Sequence, residues 1–132
     1  MITMLYAGLC TILVIFLAVR VAQWRVRHKI GLGDGGDRQL LMRVRAHANA
    51  VENMPLALLL LGGMELNGYN DVLIHGFGGV LLVSRAAHSW GLSHSSGSSK
   101  GRLLGSLFTW VLMLAMALFA IVGFAHQYFV AA

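Results

Sequence analysis

The sequence predicts an all-α integral membrane protein, a single domain over residues 1–132 built as a bundle of four spanning helices. Three observations carry this. Only 11% of the residues are charged and 58% are hydrophobic, whereas a soluble domain carries about 25% charged side chains. The mean hydropathy is +0.73. Four long apolar stretches are separated by turn-rich connections, and the basic residues gather around alternate connections.

The expected helices cover about residues 2–28, 38–66, 72–92 and 102–127. Met1 to Val19 has no charged side chain. With Arg20 snorkelling the apolar run reaches Trp24, enough for the roughly 20 residues of a spanning helix. No Lys or Arg precedes it and no small-residue cleavage site follows, which is unlike a secretory signal. The last segment, Leu103 to Ala125, is also uncharged, and its Ser106 and Thr109 can bond back to their own backbone. The middle two are less pure. The second carries Arg43, Arg45, His47, Asn49, Glu52 and Asn53 before an apolar half, and its Pro55 predicts a kink. The third carries His75, Arg85 and His88. Each can cross a bilayer only with those residues turned to protein, a cavity or the interface. Residues 31–37, 67–71 and 93–101 read as connections, with Asp71 expected to cap the third helix. Gly62, Gly63, Gly76, Gly78 and Gly79 predict close helix approaches. Tyr6, Trp24, Trp90 and Tyr128 read as interfacial anchors. Cys10, the lone cysteine, excludes an intramolecular disulfide and reads as a small hydrophobe.

Charge sets the expected orientation. Arg25, Arg27, Lys29, Arg38, Arg43 and Arg45 surround the first connection, and Arg85, Lys100 and Arg102 surround the third. The second has no Lys or Arg, only Glu65 and Asp71. The positive-inside rule then places connections one and three in the cytosol and both termini outside. The net charge of +5 does not signal nucleic-acid binding, because the basic residues flank apolar segments instead of forming a soluble basic domain.

Arg45, Asn49 and Glu52 are spaced i, i+4, i+7 and fall within about 60° of one another on a helix. A carboxylate there must be paired or neutralised. One reading is an Arg–Glu pair that pins helices together; the other is a polar ligand site. Arg85 and His88 share a face at i, i+3, and their plain alternatives are a snorkelling cation and a packing histidine. His47 lies about 160° away in phase. His28, His75, His94 and His126 show no metal spacing, so no metal site is expected. Several cations with one carboxylate and one amide suit a small zwitterion bearing more than one carboxylate. Glutathione is one such molecule, and the residues alone do not single it out.

Arg45-Ala46-His47-Ala48-Asn49-Ala50-Val51-Glu52, followed by Pro55, resembles the helix-two motif RAHxNxxE of the MAPEG family, the membrane-associated proteins in eicosanoid and glutathione metabolism. Trp24-Arg25-Val26-Arg27-His28-Lys29 is similar to that family's basic end of helix one, and Ser84-Arg85-Ala86-Ala87-His88 to the RxxH stretch of its prostaglandin E synthase branch. The likeness covers almost the whole chain and is nearest to small bacterial members. It implies a homotrimer of four-helix bundles in the bacterial inner membrane, with glutathione held between subunits near the cytosolic face. Carried over by position, Arg25, Arg45, Asn49, Glu52, Arg85 and His88 would contact glutathione. Two departures stand out. Leu92 occupies the position of a common tyrosine. The thiolate-activating arginine of helix four falls on Gly101, with Arg102 or Lys100 reached only by a shift.

The leading functional expectation is therefore a glutathione transferase or peroxidase. It would act on lipophilic electrophiles from the bilayer, with Arg102 as the catalytic cation beside the thiolate. The alternative is a non-enzymatic scaffold of the same fold that binds lipid or another membrane protein. A small multidrug transporter fits less well, because that class has weak charge bias and its carboxylate in the first helix.

Overall fold

The computed structural model describes residues 1–94 and 100–129, apart from the side chains of Ser93, His94 and Arg102. Its helices are α1 (Ile2–His28), α2 (Arg38–Leu66), α3 (Asp71–His94) and α4 (Lys100–Phe129). In lipid every backbone N–H and C=O must be bonded within the protein, so apolar sequence of this length has helix as its economical solution. α1 and most of α4 are long and apolar enough to cross a membrane. α2 and α3, at 29 and 24 residues, also exceed the roughly 20 that a span needs.

The helix ends follow from local chemistry. α1 stops where Lys29 turns left-handed at φ 56°, and the N–H of Ile30 bonds back to the Arg25 carbonyl at 3.0 Å. The linker then uses Gly33, Gly35 and Gly36, all at positive φ, which glycine adopts without a Cβ clash. Asp37 caps α2: its Oδ1 accepts the N–H groups of Gln39 at 2.7 Å and Leu40 at 3.1 Å. Asn70, not Asp71, caps α3, through its Oδ1 and the Val72 N–H at 2.8 Å. The helix starts one residue earlier than expected, so Asp71 already has helical backbone and lies exposed. α2 runs on through Pro55 without interruption.

α2 and α3 form the centre of the bundle. Each packs against α1 and α4, which do not touch one another among the described residues. The inner face of α2 buries Ala46, Ala50, Met54, Ala57, Leu61 and Met64, a spacing of three or four residues that holds one helical face inward. α1 buries only Thr3, Tyr6, Cys10 and Leu17, and Cys10 does pack as a small hydrophobe in the core. The outer faces of α1 and α4 leave large apolar side chains such as Ile12, Phe16, Trp110 and Leu114 uncovered, as lipid contact requires.

Close approaches occur at some of the expected glycines. A Cβ on Gly78 would come within 2.3 Å of the Tyr6 ring, so that ring lies directly on the α3 backbone. Gly63 and Gly76 face open space. Tyr6 is accordingly not an interfacial anchor: it is buried, donates its hydroxyl to the His75 carbonyl at 3.0 Å, and meets His75 Nδ1 at 3.0 Å. At this end Glu65 of α2 caps α1. Its carboxylate accepts the N–H groups of Ile2 and Thr3, the latter at 2.8 Å, and lies 3.9 Å from the N-terminal ammonium.

Candidate functional site

The other end of the bundle carries the cations. From Glu65 to Arg43 along α2 is 22 residues, or about 33 Å at the helical rise, close to the thickness of a bilayer's hydrocarbon core. About 9 Å inward from Arg43, at Asn49, a polar layer crosses the bundle.

Arg85 is the centre of that layer. Its side chain is 1% exposed, so it is not a snorkelling cation. Nη1 donates to Asn49 Oδ1 at 2.6 Å and Nη2 to the Gly105 carbonyl at 2.8 Å, tying α3 to both α2 and α4. Its Nε is buried with no acceptor. No carboxylate is bonded to Arg85 among the described residues; amide and carbonyl oxygens carry the guanidinium instead, which is how a cation inside a membrane bundle is tolerated.

The neighbours of Arg85 are small and hydroxylic. Thr109 Oγ1 also donates to the Gly105 carbonyl at 2.8 Å, and meets Ser84 Oγ at 2.9 Å. One turn along α3, buried His88 bonds through Nδ1 to Ser106 Oγ at 2.9 Å. Ser106 therefore reaches across to α3, and Thr109 bonds both back to its own helix and across to Ser84 of α3. Gly105 makes the layer possible. A Cβ there would sit 2.7 Å from both the Ser84 carbonyl oxygen and His88 Cβ. At this position only a glycine lets α3 and α4 approach so closely.

Arg45 and Glu52 lie elsewhere. Both are exposed on the outer side of α2, beside exposed Val51, Leu56 and Leu59. Among the described residues they form no ion pair with each other, so the pinning Arg–Glu pair is absent. Asn49 sits on the inner edge of the stripe, and that is why it alone of the three meets Arg85. Arg25, on α1, is half-buried with its Nη1 enclosed and without an acceptor. Leu92 is partly buried against the core. The side chain of Arg102, the expected catalytic cation, lies outside the described residues; its backbone is in the first turn of α4. One chain thus brings Asn49 and Arg85 into contact, with His88 a turn away. It leaves Arg25, Arg45 and Glu52 on other surfaces at the same end.

A second cluster was not legible as a unit in the sequence. Trp24 Nε1 donates to Asp37 Oδ2 at 2.7 Å. His28 stacks on the Trp24 ring at 4.2 Å, and the Arg43 guanidinium lies 4.3 Å from its centroid. The Trp24 hydrogen bond, followed by the Leu40 N–H, holds the Asp37 carboxyl below the usual carboxylate range. Neither the spacing of Trp24 to Asp37 nor that of Trp24 to Arg43 falls on one helix face, so only the hairpin between α1 and α2 reveals them.

An apolar groove of about 510 Å³ opens between α3 and α4 beside this layer, lined by Val80, Val83, Ala87, Leu104 and Phe108 among others. Its floor includes Ser84 and Gly105, so apolar surface and the Arg85 layer adjoin.

The family profile described as the MAPEG family matches residues 3–122. The chain is similar to the inner membrane protein YecN of Escherichia coli (strain K12), 36% identical over 118 residues that cover 89% of this chain and 88% of that protein. The inner membrane protein YecN of Escherichia coli O6:H1 gives the same figures. The match runs from the Glu65-capped start of α1 through the polar layer into the last third of α4, and the chain belongs to the MAPEG family of membrane proteins.

Proposed function

We propose that this protein binds glutathione at the basic end of the bundle and presents it as a thiolate to lipophilic electrophiles, as a transferase or peroxidase of the inner membrane. The observation that carries the reading is Arg85: a buried guanidinium oriented by Asn49 and the Gly105 carbonyl, with an enclosed Nε still lacking an acceptor. A carboxylate is the natural partner for a guanidinium, and buried Arg85 meets one where the helices around it part. Arg25, with its own enclosed donor, supplies a second cation. Exposed Glu52 suits the ammonium, and exposed Arg45 another carboxylate. Donors and acceptors thus fit a molecule with two carboxylates and one ammonium.

Glutathione, when bound, supplies a thiol whose ionised form adds to an electrophilic carbon. The chain's residues hold its charged ends and place a cation near the sulfur, which favours the thiolate; Arg102 is assigned that duty. Arg45 and Glu52 lie on an uncovered, otherwise apolar face of α2. Charges there call for a covering partner, which supports assembly as a homotrimer with the ligand between subunits. The charge bias supports an orientation with the basic end in the cytosol and both termini outside.

Calorimetry on the purified protein in lipid should show glutathione binding. Glu52→Gln and Arg45→Ala should weaken it, and a halodinitrobenzene should be conjugated. Absence of binding would overturn the reading. Leu92, an alkyl side chain packed against the core at the position where the family resemblance leads one to expect a tyrosine, favours a second reading: a binding scaffold without turnover. Binding with no conjugation would select it.

A further inference from the structure

The hairpin between α1 and α2 holds a cationic seat made of residues outside the proposed glutathione set. Arg43 lies flat over Trp24, 4.3 Å from the ring centroid. Trp24 is itself fixed by Asp37 and by the stacked His28, so Arg43 rests on a rigid support. Its Nε is buried and has no acceptor. No ion pair reaches it among the described residues. Asp37 is near enough to act on its charge, but the Asp37 oxygens are taken by Gln39 N, Leu40 N and Trp24 Nε1. Arg20 acts on Arg43 as a like charge. A stacked cation with an unmet donor, beside a second cation, calls for an anion.

We infer that Arg43, seated on Trp24 and assisted by Arg20, binds the phosphate of an anionic membrane lipid at the basic end of the bundle. The Arg43 Nε is enclosed, and the two Nη groups form the fork that matches two non-bridging phosphate oxygens. Depth places the seat among headgroups: Trp24 is 22 residues from Ile2 along α1, and Arg43 is 22 from Glu65 along α2. Both lie about 33 Å from the opposite end. The lipid, and not soluble phosphate, is indicated by what lies beneath. Ile12, Phe16 and Arg20 are spaced i, i+4, i+8 on one face, the first two are 65% and 56% exposed, and the Arg20 guanidinium lies over the Phe16 ring at 5.8 Å. That stripe gives an acyl chain an apolar track ending at the cations.

The test uses the full chain in nanodiscs of phosphatidylcholine with or without phosphatidylglycerol, and reads retained lipid by native mass spectrometry. Wild type should retain phosphatidylglycerol over phosphatidylcholine. Arg43→Gln should reduce that preference about fivefold, the worth of one cation at an anionic surface. Arg43→Lys, which keeps the charge but loses the fork and the stacking, should restore only part of it. Arg38→Gln, a cation of the same connection without the seat, should cost less than Arg43→Gln. Inorganic phosphate in excess should not displace the lipid, and Arg43→Gln should leave glutathione binding unchanged, so the two readings fail separately. An equal loss in Arg38→Gln would reduce the effect to surface charge. Displacement by inorganic phosphate would assign the seat to a soluble anion. No preference in wild type, or a Lys variant equal to wild type, would overturn the inference even if Arg43→Gln does not fold.

Discussion

Arg85 and Arg45 are the same side chain within about 6 Å of the same depth, yet the protein uses them differently. Arg85 is enclosed between three helices and bonded to Asn49 and Gly105. Arg45 is exposed and has no polar partner among the described residues. The inner arginine joins α2, α3 and α4 and holds one enclosed donor without an acceptor. The outer one has no part in holding the single chain together, so any role it has is toward a ligand or a neighbour. Burial with hydrogen bonds, more than charge, separates a cation that holds a membrane bundle together from one that recognises something else.

The sharpest break of this contrast acts on the close contact that makes the inner layer. Gly105→Ala should force α3 and α4 apart, because the new methyl meets backbone atoms of Ser84 and His88 that cannot turn away. A loss of about 1–3 kcal/mol, the usual cost of overpacking, is expected in thermal unfolding in detergent. A variant as stable as wild type would mean that the helix contact is looser than the structure has it.

A smaller effect separates the two arginines directly. Arg85→Met should cost about 1–2 kcal/mol by stripping Asn49 and Gly105 of a charged donor. Arg45→Met should stay within about 0.5 kcal/mol of wild type in unfolding while still weakening glutathione binding. Equal losses of stability in the two would erase the distinction.

The smallest effect concerns the hairpin that carries the basic end. Asp37 is held below its ordinary value of 3.8 by Trp24 Nε1 and the α2 N–H groups. A depressed carboxylate contributes stability that is present in full above its unfolded-state value and is lost as pH falls through the lowered folded value. The tie between α1 and α2 should therefore persist through neutral and mildly acidic pH and weaken only below about 4. Trp24 fluorescence in a variant lacking Trp90 and Trp110 would report it, and Asp37→Asn should flatten that part of the profile. A transition near neutrality would contradict the assignment.

The four helices and the crowding of cations at one end were legible in the sequence, because hydropathy and charge are local properties that a bilayer sorts by depth alone. So was the polar stripe of α2, since i, i+4, i+7 is fixed by helical pitch. Which member of that stripe turns inward was not: Asn49 differs from Arg45 and Glu52 only by a few tens of degrees, and that is decided by where α3 lies. The seat of Arg43 on Trp24, the burial of Tyr6 against Gly78, and the bond from Ser106 to His88 were likewise set by tertiary structure, because each joins residues on different helices. The sequence by itself determined that helices must form and which end carries the positive charge, since both follow from what hydrocarbon excludes. Only the packing decided which cations are bonded within the bundle and which remain available, since that depends on distances of a few ångströms between segments far apart in the chain.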